Sequence, residues 1–199
     1  MTAGDSPPTA AAPGFLRTLS AKRSAEIVHI SPKDQVAEIE QAHLDAIARS
    51  AGPIYLETQF FRHRPLAEAL AEAALQRPEL TCTLILPASP EDVAFEGKRR
   101  EDAQFGAQLQ MECIDLIADA FGPRLALAAP ARPVRADPDT PPYGTLFDAP
   151  MIYVHSKVSL FGASEGIVSS ANLNGRSMRW DTEAGLHITR EDHLRLIWE

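Results

Sequence analysis

The spacing of apolar and polar residues changes several times along the chain and predicts alternating helices and strands. Residues 31 to 52 have the period of an amphipathic helix, with Ser31 as an N-cap candidate, Pro32 at the first helical position and Gly52 at the end. Further along, PIYLETQFF, LTCTLILP and RLALAAP predict strands, and PLAEALAEAALQR and RREDAQFGAQLQMECIDLIADAFG predict helices.

The last fifty residues return to strand patterns. IYVHSKVSLF and GIVSSAN flank GASE, a hairpin-like turn, and DTEAGLHI predicts a third strand before REDHLRLIWE, a final helix. Strands that alternate with helices predict an α/β layered domain with a mixed central sheet in which most neighbouring strands are parallel.

The beginning of the chain has a different composition. MTAGDSPPTAAAPG is rich in proline and alanine and has no period, so residues 1 to 29 are predicted to be a disordered leader or linker. The remaining residues, 30 to 199, are predicted to form one folded domain, which is long enough for a sizeable core.

Charge and cysteine content exclude several classes of protein. The formal net charge of −8 disfavours binding to nucleic acid and to anionic lipid. Cys82 and Cys113 lie in apolar surroundings, which predicts buried thiols and excludes a cysteine-only zinc cluster. No apolar run approaches the roughly 18 residues of a membrane span, and no signal peptide is recognisable. We therefore expect a cytoplasmic protein or one in peripheral contact with a membrane.

Candidate chemistry is concentrated in the last three predicted strands. Side chains alternate between the two faces of a strand, so His155 and Lys157 are expected on one face, and Ser170 and Asn172 share a face of the next strand. Glu183 lies in the third predicted strand and shares a face with Gly185. If the three strands are neighbours, these side chains converge at one end of the sheet.

These residue types suit chemistry at a phosphate. An imidazole can act as a nucleophile or as a general acid, and a lysine supplies positive charge to phosphate oxygens. An asparagine amide donates further hydrogen bonds, and a buried glutamate can fix the tautomer of a histidine. The set requires no metal ion, and no cofactor is predicted.

The same residues carry a resemblance to the phospholipase D superfamily. Its signature is His-x-Lys-x4-Asp, followed by a Gly/Ser-Ser-x-Asn segment and a glutamate. YVHSKVSLF, SSANLNGRSM and DTEAGL resemble the second signature of the phospholipase D enzymes. IYLETQFF is similar to a strand that precedes this signature, so the resemblance covers about residues 30 to 199.

The resemblance implies a layered α/β/α fold and a two-step transfer at a phosphodiester. In the family, two signatures meet at one site, from two halves of a chain or from two subunits of a homodimer. One histidine attacks phosphorus and forms a phosphohistidine, and the other protonates the leaving alcohol. Water or another alcohol then accepts the phosphoryl group, and a phospholipid or another phosphodiester is the expected substrate.

By matching position, the resemblance also suggests roles for single residues. His155 is expected to be the general acid and base of the second signature. Lys157 and Asn172 are expected to hold phosphate oxygens. Glu183 is expected to be the partner of a histidine, with Ser170 as a supporting polar group. Glu57 and Gln59 match polar positions of the upstream strand and are candidates for lining the pocket.

The chain departs from the family pattern in two ways. His155 is the one histidine of six that has a lysine two residues later, so the second half-site is expected from an N-terminal half or a homodimer mate. Both halves must be positioned together, so the isolated chain is expected to have very low activity. The family's aspartate is replaced by Gly162, which is expected to loosen the hairpin.

Other functions remain open on the sequence alone. The chain could be a catalytically silent half-domain that binds a partner, although retention of the four signature residues argues against this. A homodimeric phosphodiesterase or nuclease is disfavoured for nucleic acid by the net charge of −8. Phosphatidyl transfer in cardiolipin synthesis is a further possibility.

Overall fold

A computed structural model describes residues 13–22, 32–89, 101–141 and 144–199, except for the side chains of residues 101–103. Within these ranges the strands are β1 Gly14–Ala21, β2 Lys33–Ala37, β3 Ile54–Glu57, β4 Phe61–Arg62, β5 Cys82–Ile85, β6 Leu125–Ala128, β7 Thr145–Leu146, β8 Ala149–Pro150, β9 Val158–Phe161, β10 Glu165–Ser169, β11 Leu173–Asn174 and β12 Glu183–Ile188. The helices are α1 Glu38–Arg49, α2 Arg64–Gln76, α3 Glu101–Phe121, α4 Gly175–Arg179 and α5 Glu191–Trp198.

Eight strands form the central sheet, in the order β2-β1-β12-β10-β9-β3-β5-β6. The predicted α/β class and mixed sheet are confirmed. The expected predominance of parallel pairs is wrong, because only β3–β5 and β5–β6 are parallel and the other neighbours are antiparallel. β9 and β10 are joined by a tight turn, which enforces antiparallel pairing, whereas helices connect the parallel strands.

Helices cover both faces of the sheet. One face packs against α1, α2 and α3, and its largest fully buried side chains are Phe61, Phe121, Phe161, Ile39, Ile54, Leu56, Leu66, Leu70, Leu80, Leu84 and Ile117. The opposite face has a smaller apolar cluster in which Leu194 of α5 packs with Leu160 and Ile188. Cys82 and Cys113 are both buried, as predicted. The sheet therefore lies between a thick side, formed by α1, α2 and α3, and a thin side, formed by α5.

The predicted disorder of residues 1 to 29 is wrong for residues 14 to 21. This segment is β1, which pairs with β12 from Gly14 opposite His187 to Thr18 opposite Glu183. The proline-rich composition of the beginning concealed the alternation in GFLRTLSA, and the pairing strand lies far along the chain. Residues 1–12 and 23–29 lie outside the described ranges.

The first helix begins later than its sequence signals suggest. Residues Lys33–Ala37 form β2 against β1, and α1 starts at Glu38. The predicted start at Pro32 is therefore wrong, because pairing with β1 holds this stretch extended. Ser31, the N-cap candidate, lies outside the described residues.

Gly162 occupies a turn position that favours glycine. Its φ of +63° is left-handed, its backbone N–H donates to the Pro53 carbonyl at 2.8 Å, and Trp198 Nε1 donates to its carbonyl at 3.3 Å. Glycine adopts this conformation without the steric cost of a side chain. The expectation that glycine loosens this turn is therefore wrong, and Gly162 lies about 16 Å along the strand from Lys157.

We expect Gly162→Ala to lower the free energy of unfolding by about 1 kcal/mol, because alanine is strained at this φ. Asparagine tolerates the left-handed region better, so Gly162→Asn should cost less. The matched control is Gly14→Ala, whose added Cβ would make an ordinary contact 3.5 Å from the His187 Cβ. Urea unfolding of the three variants measures the difference, and equal stabilities for the two alanine variants would contradict it.

His43 is buried under β9 as a neutral imidazole. Its Nδ1 lies 2.7 Å from the Ile39 carbonyl and its Nε2 lies 3.0 Å from the Ser159 hydroxyl. This arrangement suits a proton on Nδ1, with Nε2 accepting from the serine. Burial lowers the pKa of His43 to about 4, with smaller contributions from His63 and His187 in the same direction.

The lowered pKa of His43 predicts a loss of stability in acid. Between an unfolded pKa of about 6.5 and the folded pKa, the unfolded chain binds a proton that the folded chain does not. The free energy of unfolding should therefore fall by about 3 kcal/mol as the pH drops from 7 to 4. The free energy of unfolding of His43→Gln should depend less on pH across this range, whereas that of His193→Gln should behave like the wild type. Equal pH dependence in all three proteins would show that His43 does not cause the loss of stability in acid.

Candidate active site

The ends of four neighbouring strands meet at one edge of the central sheet. β12, β10, β9 and β3 are consecutive in the sheet and each is antiparallel to the next. β9 and β12 therefore begin at this edge, where β3 and β10 end. Residues 57–59, 155–157, 169–172 and 183 therefore lie at this edge of the sheet.

His155 and Lys157 lie just before β9 rather than inside a strand. β9 begins at Val158, the register partner of Glu57, and β3 ends at Glu57. Because the chain leaves the ladder after Glu57, the pairing stops there, and the prediction that His155 and Lys157 occupy a strand is wrong. One backbone contact continues past the strand, since the Ser169 N–H donates to the Lys157 carbonyl at 3.1 Å.

The imidazole of His155 is exposed at this edge. The preceding residue, Val154, is buried and fixes the backbone, and the Lys157 ammonium donates to the His155 carbonyl. Among the described residues, no side chain hydrogen-bonds to the imidazole. Glu183, the expected partner of a histidine, instead binds elsewhere, so the ring is accessible to a molecule that covers the edge.

Glu183 binds Ser170 and acts on Lys157 through its charge. The Ser170 hydroxyl donates to the Glu183 carboxylate and accepts from the Ala184 backbone N–H at 3.1 Å. Burial lowers the pKa of the Lys157 ammonium, and the charge of Glu183 offsets part of this shift. The carboxylate therefore stabilises the ammonium at the edge, and the serine fixes the carboxylate.

Asn172 belongs to a second polar group. Its Nδ2 donates to Gln59 Oε1 at 3.4 Å, and the Thr58 hydroxyl lies 3.4 Å from its Oδ1. Gln59 Nε2 in turn donates to the Tyr153 hydroxyl at 2.9 Å. β10 ends at residue 169, so the predicted common face of Ser170 and Asn172 is not formed, and the two side chains bind different partners.

The structure does not bring Glu57 together with Gln59 and Asn172. The Glu57 carboxylate accepts hydrogen bonds from the Tyr55 and Ser156 hydroxyls. The Tyr55 ring packs 5.9 Å from the ring of Trp198, centroid to centroid, on the side covered by α5. Burial raises the pKa of Tyr55, and its hydrogen bond to Glu57 raises it further. Glu57 thus supports the backbone around residue 156 from the thin side of the sheet.

A cleft of about 630 Å³ opens beside Asn172 and Glu183. Its other walls include Phe60, Arg62, Phe105, Leu109, Asn174, Arg176, Trp180 and Asp181. Of these, the sequence suggested only Trp180 as a residue that could cover the pocket, with a packing role favoured for it. A signal was available for Phe60 and Arg62. Phe60 is the penultimate residue of the predicted strand segment IYLETQFF, and Arg62 directly follows that segment. Tyr153 was also missed, although it precedes His155 by two residues in an extended segment.

The described ranges contain no group of three or more histidine, cysteine, aspartate or glutamate side chains placed to hold a metal ion. In the same part of the chain, no helix has the length and apolar content to cross a bilayer.

One curated relative aligns with most of the chain. A phospholipase D from Phytophthora infestans is 29% identical over 181 residues, an alignment that covers 78% of this chain and 10% of the relative. The chain therefore spans about a tenth of the length of this relative. No family model matches the chain.

Solved structures share the fold. NucT from Helicobacter pylori is 12% identical with a TM-score of 0.51, and the match covers 80% of this chain and 82% of that one. Nuc from Salmonella typhimurium, a phospholipase D family member, is 13% identical with a TM-score of 0.51 and coverages of 81% and 83%. A phosphatidylserine synthase from Haemophilus influenzae Rd KW20 is 16% identical with a TM-score of 0.55, and the match covers 93% of this chain and 36% of that one.

The chain is similar in sequence to a phospholipase D, and its fold is shared by solved structures that include a phospholipase D family member.

Proposed function

We propose that the chain supplies one half of a phosphodiester-transfer site of phospholipase D type. The observation that supports this most strongly is the meeting of the signature segments at one edge of the sheet, with the His155 imidazole exposed beside Lys157. A structural domain has no need for an exposed imidazole at this place that none of the described side chains binds. The second half-site would come from an N-terminal half or from a second copy of the chain.

Lys157 and Asn172 would bind the phosphate oxygens. The Lys157 ammonium can exchange its bond to the His155 carbonyl for a charge-assisted bond to phosphate. The Asn172 amide makes hydrogen bonds of 3.4 Å, which are long, so little is lost when it turns to a phosphate oxygen. Glu183 and Ser170 would keep the ammonium charged and in position, and Gln59 would orient the amide.

His155 would move the proton in both steps. In the first step a histidine of the other half attacks phosphorus, the bond to the leaving alcohol breaks, and His155 gives its proton to the alcohol oxygen. In the second step His155 takes a proton from water or from an acceptor alcohol, whose oxygen attacks the phosphohistidine and releases the first histidine. His155 ends protonated again, so the cycle balances.

The cleft favours an amphiphilic ester as the substrate. Phe60, Phe105, Leu109 and Trp180 give it apolar walls next to the polar residues Asn172 and Glu183. A phospholipid has the matching combination of apolar chains and a phosphodiester, and the net charge of −8 disfavours nucleic acid.

Hydrolysis of phosphatidylcholine and of bis-p-nitrophenyl phosphate by the purified protein tests this function, alone and with a chain that carries a first signature. Steady-state turnover of either diester that depends on His155 supports the proposal. The proposal is contradicted if the folded protein hydrolyses neither diester, both alone and in the presence of the chain with a first signature.

A further inference from the structure

Arg62 lies next to the proposed phosphate site but is not one of the residues proposed to bind the phosphate. β4 pairs with β11 in parallel, and Arg62 is the register partner of Asn174, two residues beyond Asn172. Arg62 also lines the cleft to which Asn172 and Glu183 belong. The guanidinium is therefore close to the site and accessible from the same opening.

The surroundings of Arg62 hold the guanidinium in one place. Its Cζ lies 4.1 Å from the centre of the Phe60 ring, within range of a cation–π interaction. On another side lies Gly106 of α3, where a Cβ would come within 2.3 Å of Nη1 and 2.8 Å of Cζ. The glycine leaves room for the guanidinium in this position, and a larger residue there would displace it.

Within the part of the chain that the structure describes, the guanidinium has no counter-charge. Its Nε is buried without a hydrogen-bond partner, and among the described residues no carboxylate forms an ion pair with it. Arg176, on another wall of the cleft, is by contrast paired with Asp181 at 2.9 Å. Burial lowers the pKa of Arg62, with Tyr153 opposing the shift. A partly buried cation without a partner costs free energy that an anionic ligand would return.

We propose that Arg62 forms an oxyanion subsite that binds a second anionic group, a carboxylate or a phosphate, carried by the phosphodiester substrate. The planar guanidinium can bind either group through two parallel hydrogen bonds. The proposal rests on the proposed function, because the subsite is defined relative to a diester held by Lys157 and Asn172. It makes Arg62 a determinant of specificity among phosphodiesters rather than a group that takes part in the transfer.

Calorimetric titration of the whole protein with three glycerol diesters tests this subsite. Glycerophosphoethanolamine has no second anion, glycerophosphoserine adds a carboxylate, and glycerophosphoglycerol phosphate adds a phosphate. We expect one or both anionic diesters to bind about tenfold more tightly than the ethanolamine diester. The tighter of the two identifies the anion.

Arg62→Gln should abolish the preference and leave the affinity for the ethanolamine diester unchanged, which also shows that the variant is folded. Gly106→Ala should weaken the preference without removing the charge, because it displaces the guanidinium. Arg64→Gln is the matched control, since Arg64 is exposed, is paired with Glu68 at 2.8 Å and should keep the preference.

Two results would overturn the proposal in different ways. In the first case, Lys157→Gln weakens binding of all three diesters, but the wild type shows no preference for the anionic diesters, or Arg62→Gln retains that preference. The subsite alone is then wrong. If the wild type binds none of the diesters, or Lys157→Gln changes none of the affinities, the proposed half-site is wrong and the subsite falls with it.

Discussion

His155→Ala is expected to lower the turnover of the active assembly by roughly a thousandfold on diesters with an alkyl alcohol as the leaving group. An alkoxide is a poor leaving group, so its departure depends on the proton that His155 supplies. The exposed imidazole has no hydrogen bond to a described side chain, so removing it should not disturb the fold. His193→Ala, which alters a histidine of α5, is the matched control and should keep full activity.

The leaving group separates the possible roles of His155. p-Nitrophenolate leaves without a proton, so if His155 is the general acid, His155→Ala should still release p-nitrophenol in the first turnover, within about tenfold of the wild-type rate. The reaction should then stop at the phosphohistidine, because the base for the second step is missing. In a homodimer the same substitution removes the attacking histidine as well, and no burst should appear. Full steady-state turnover by the variant would contradict any catalytic role for His155.

Among the substitutions considered, the one at Glu40 is expected to have the largest effect on stability at neutral pH. Its buried carboxylate accepts from His63 Nε2 at 2.7 Å and from Arg179 Nη2 at 2.8 Å, and so ties α1 to the start of α2 and to α4. α4 directly follows the segment that contains Asn172. Burial alone would raise the pKa of the carboxyl, but the hydrogen bonds from Arg179 and His63 outweigh it and lower the pKa overall.

Glu40→Ala should lower the free energy of unfolding by about 3 kcal/mol, because it leaves two donors without their acceptor. For a chain of this size the melting temperature should fall by about 6–12 °C. Since the folded pKa is lowered, this stabilisation is present above the unfolded pKa and is lost as the pH falls through the folded pKa. Thermal unfolding at pH 7 measures the effect.

The control for Glu40 is Glu68→Ala on the surface of α2. Glu68 pairs with Arg64, but 55% of its side chain is exposed, so the change should cost less than about 0.5 kcal/mol. Equal stabilities of the two variants would show that the buried cluster does not stabilise the junction of the three helices.

The strands and helices were predictable where their signals are local. The buried strand around Cys82 and the long helix around Cys113 both have clear periods, and the hairpin turn near Gly162 has turn residues between two apolar runs. β1 was not predictable in this way, because its partner β12 lies about 170 residues away. The mixed direction of the sheet likewise depends on which strands become neighbours, which a local pattern does not specify.

The candidate site was predictable as a set of residues but not as a set of contacts. The signature identified His155, Lys157, Asn172 and Glu183. It did not indicate that Glu183 would bind Ser170, because that contact forms only where β10 ends. Arg62 escaped notice because a single arginine after a strand is common, and its packing against Phe60 and Gly106 requires the tertiary structure.

The central claim is that this chain holds half of a transfer site. Measuring the mass and the phosphodiesterase activity of the same sample through a dilution series tests it most directly. We expect the monomer to be inactive, and we expect activity to follow the fraction of dimer or to appear when a chain with a first signature is added. Activity per molecule that stays constant in a sample that is wholly monomeric would contradict it.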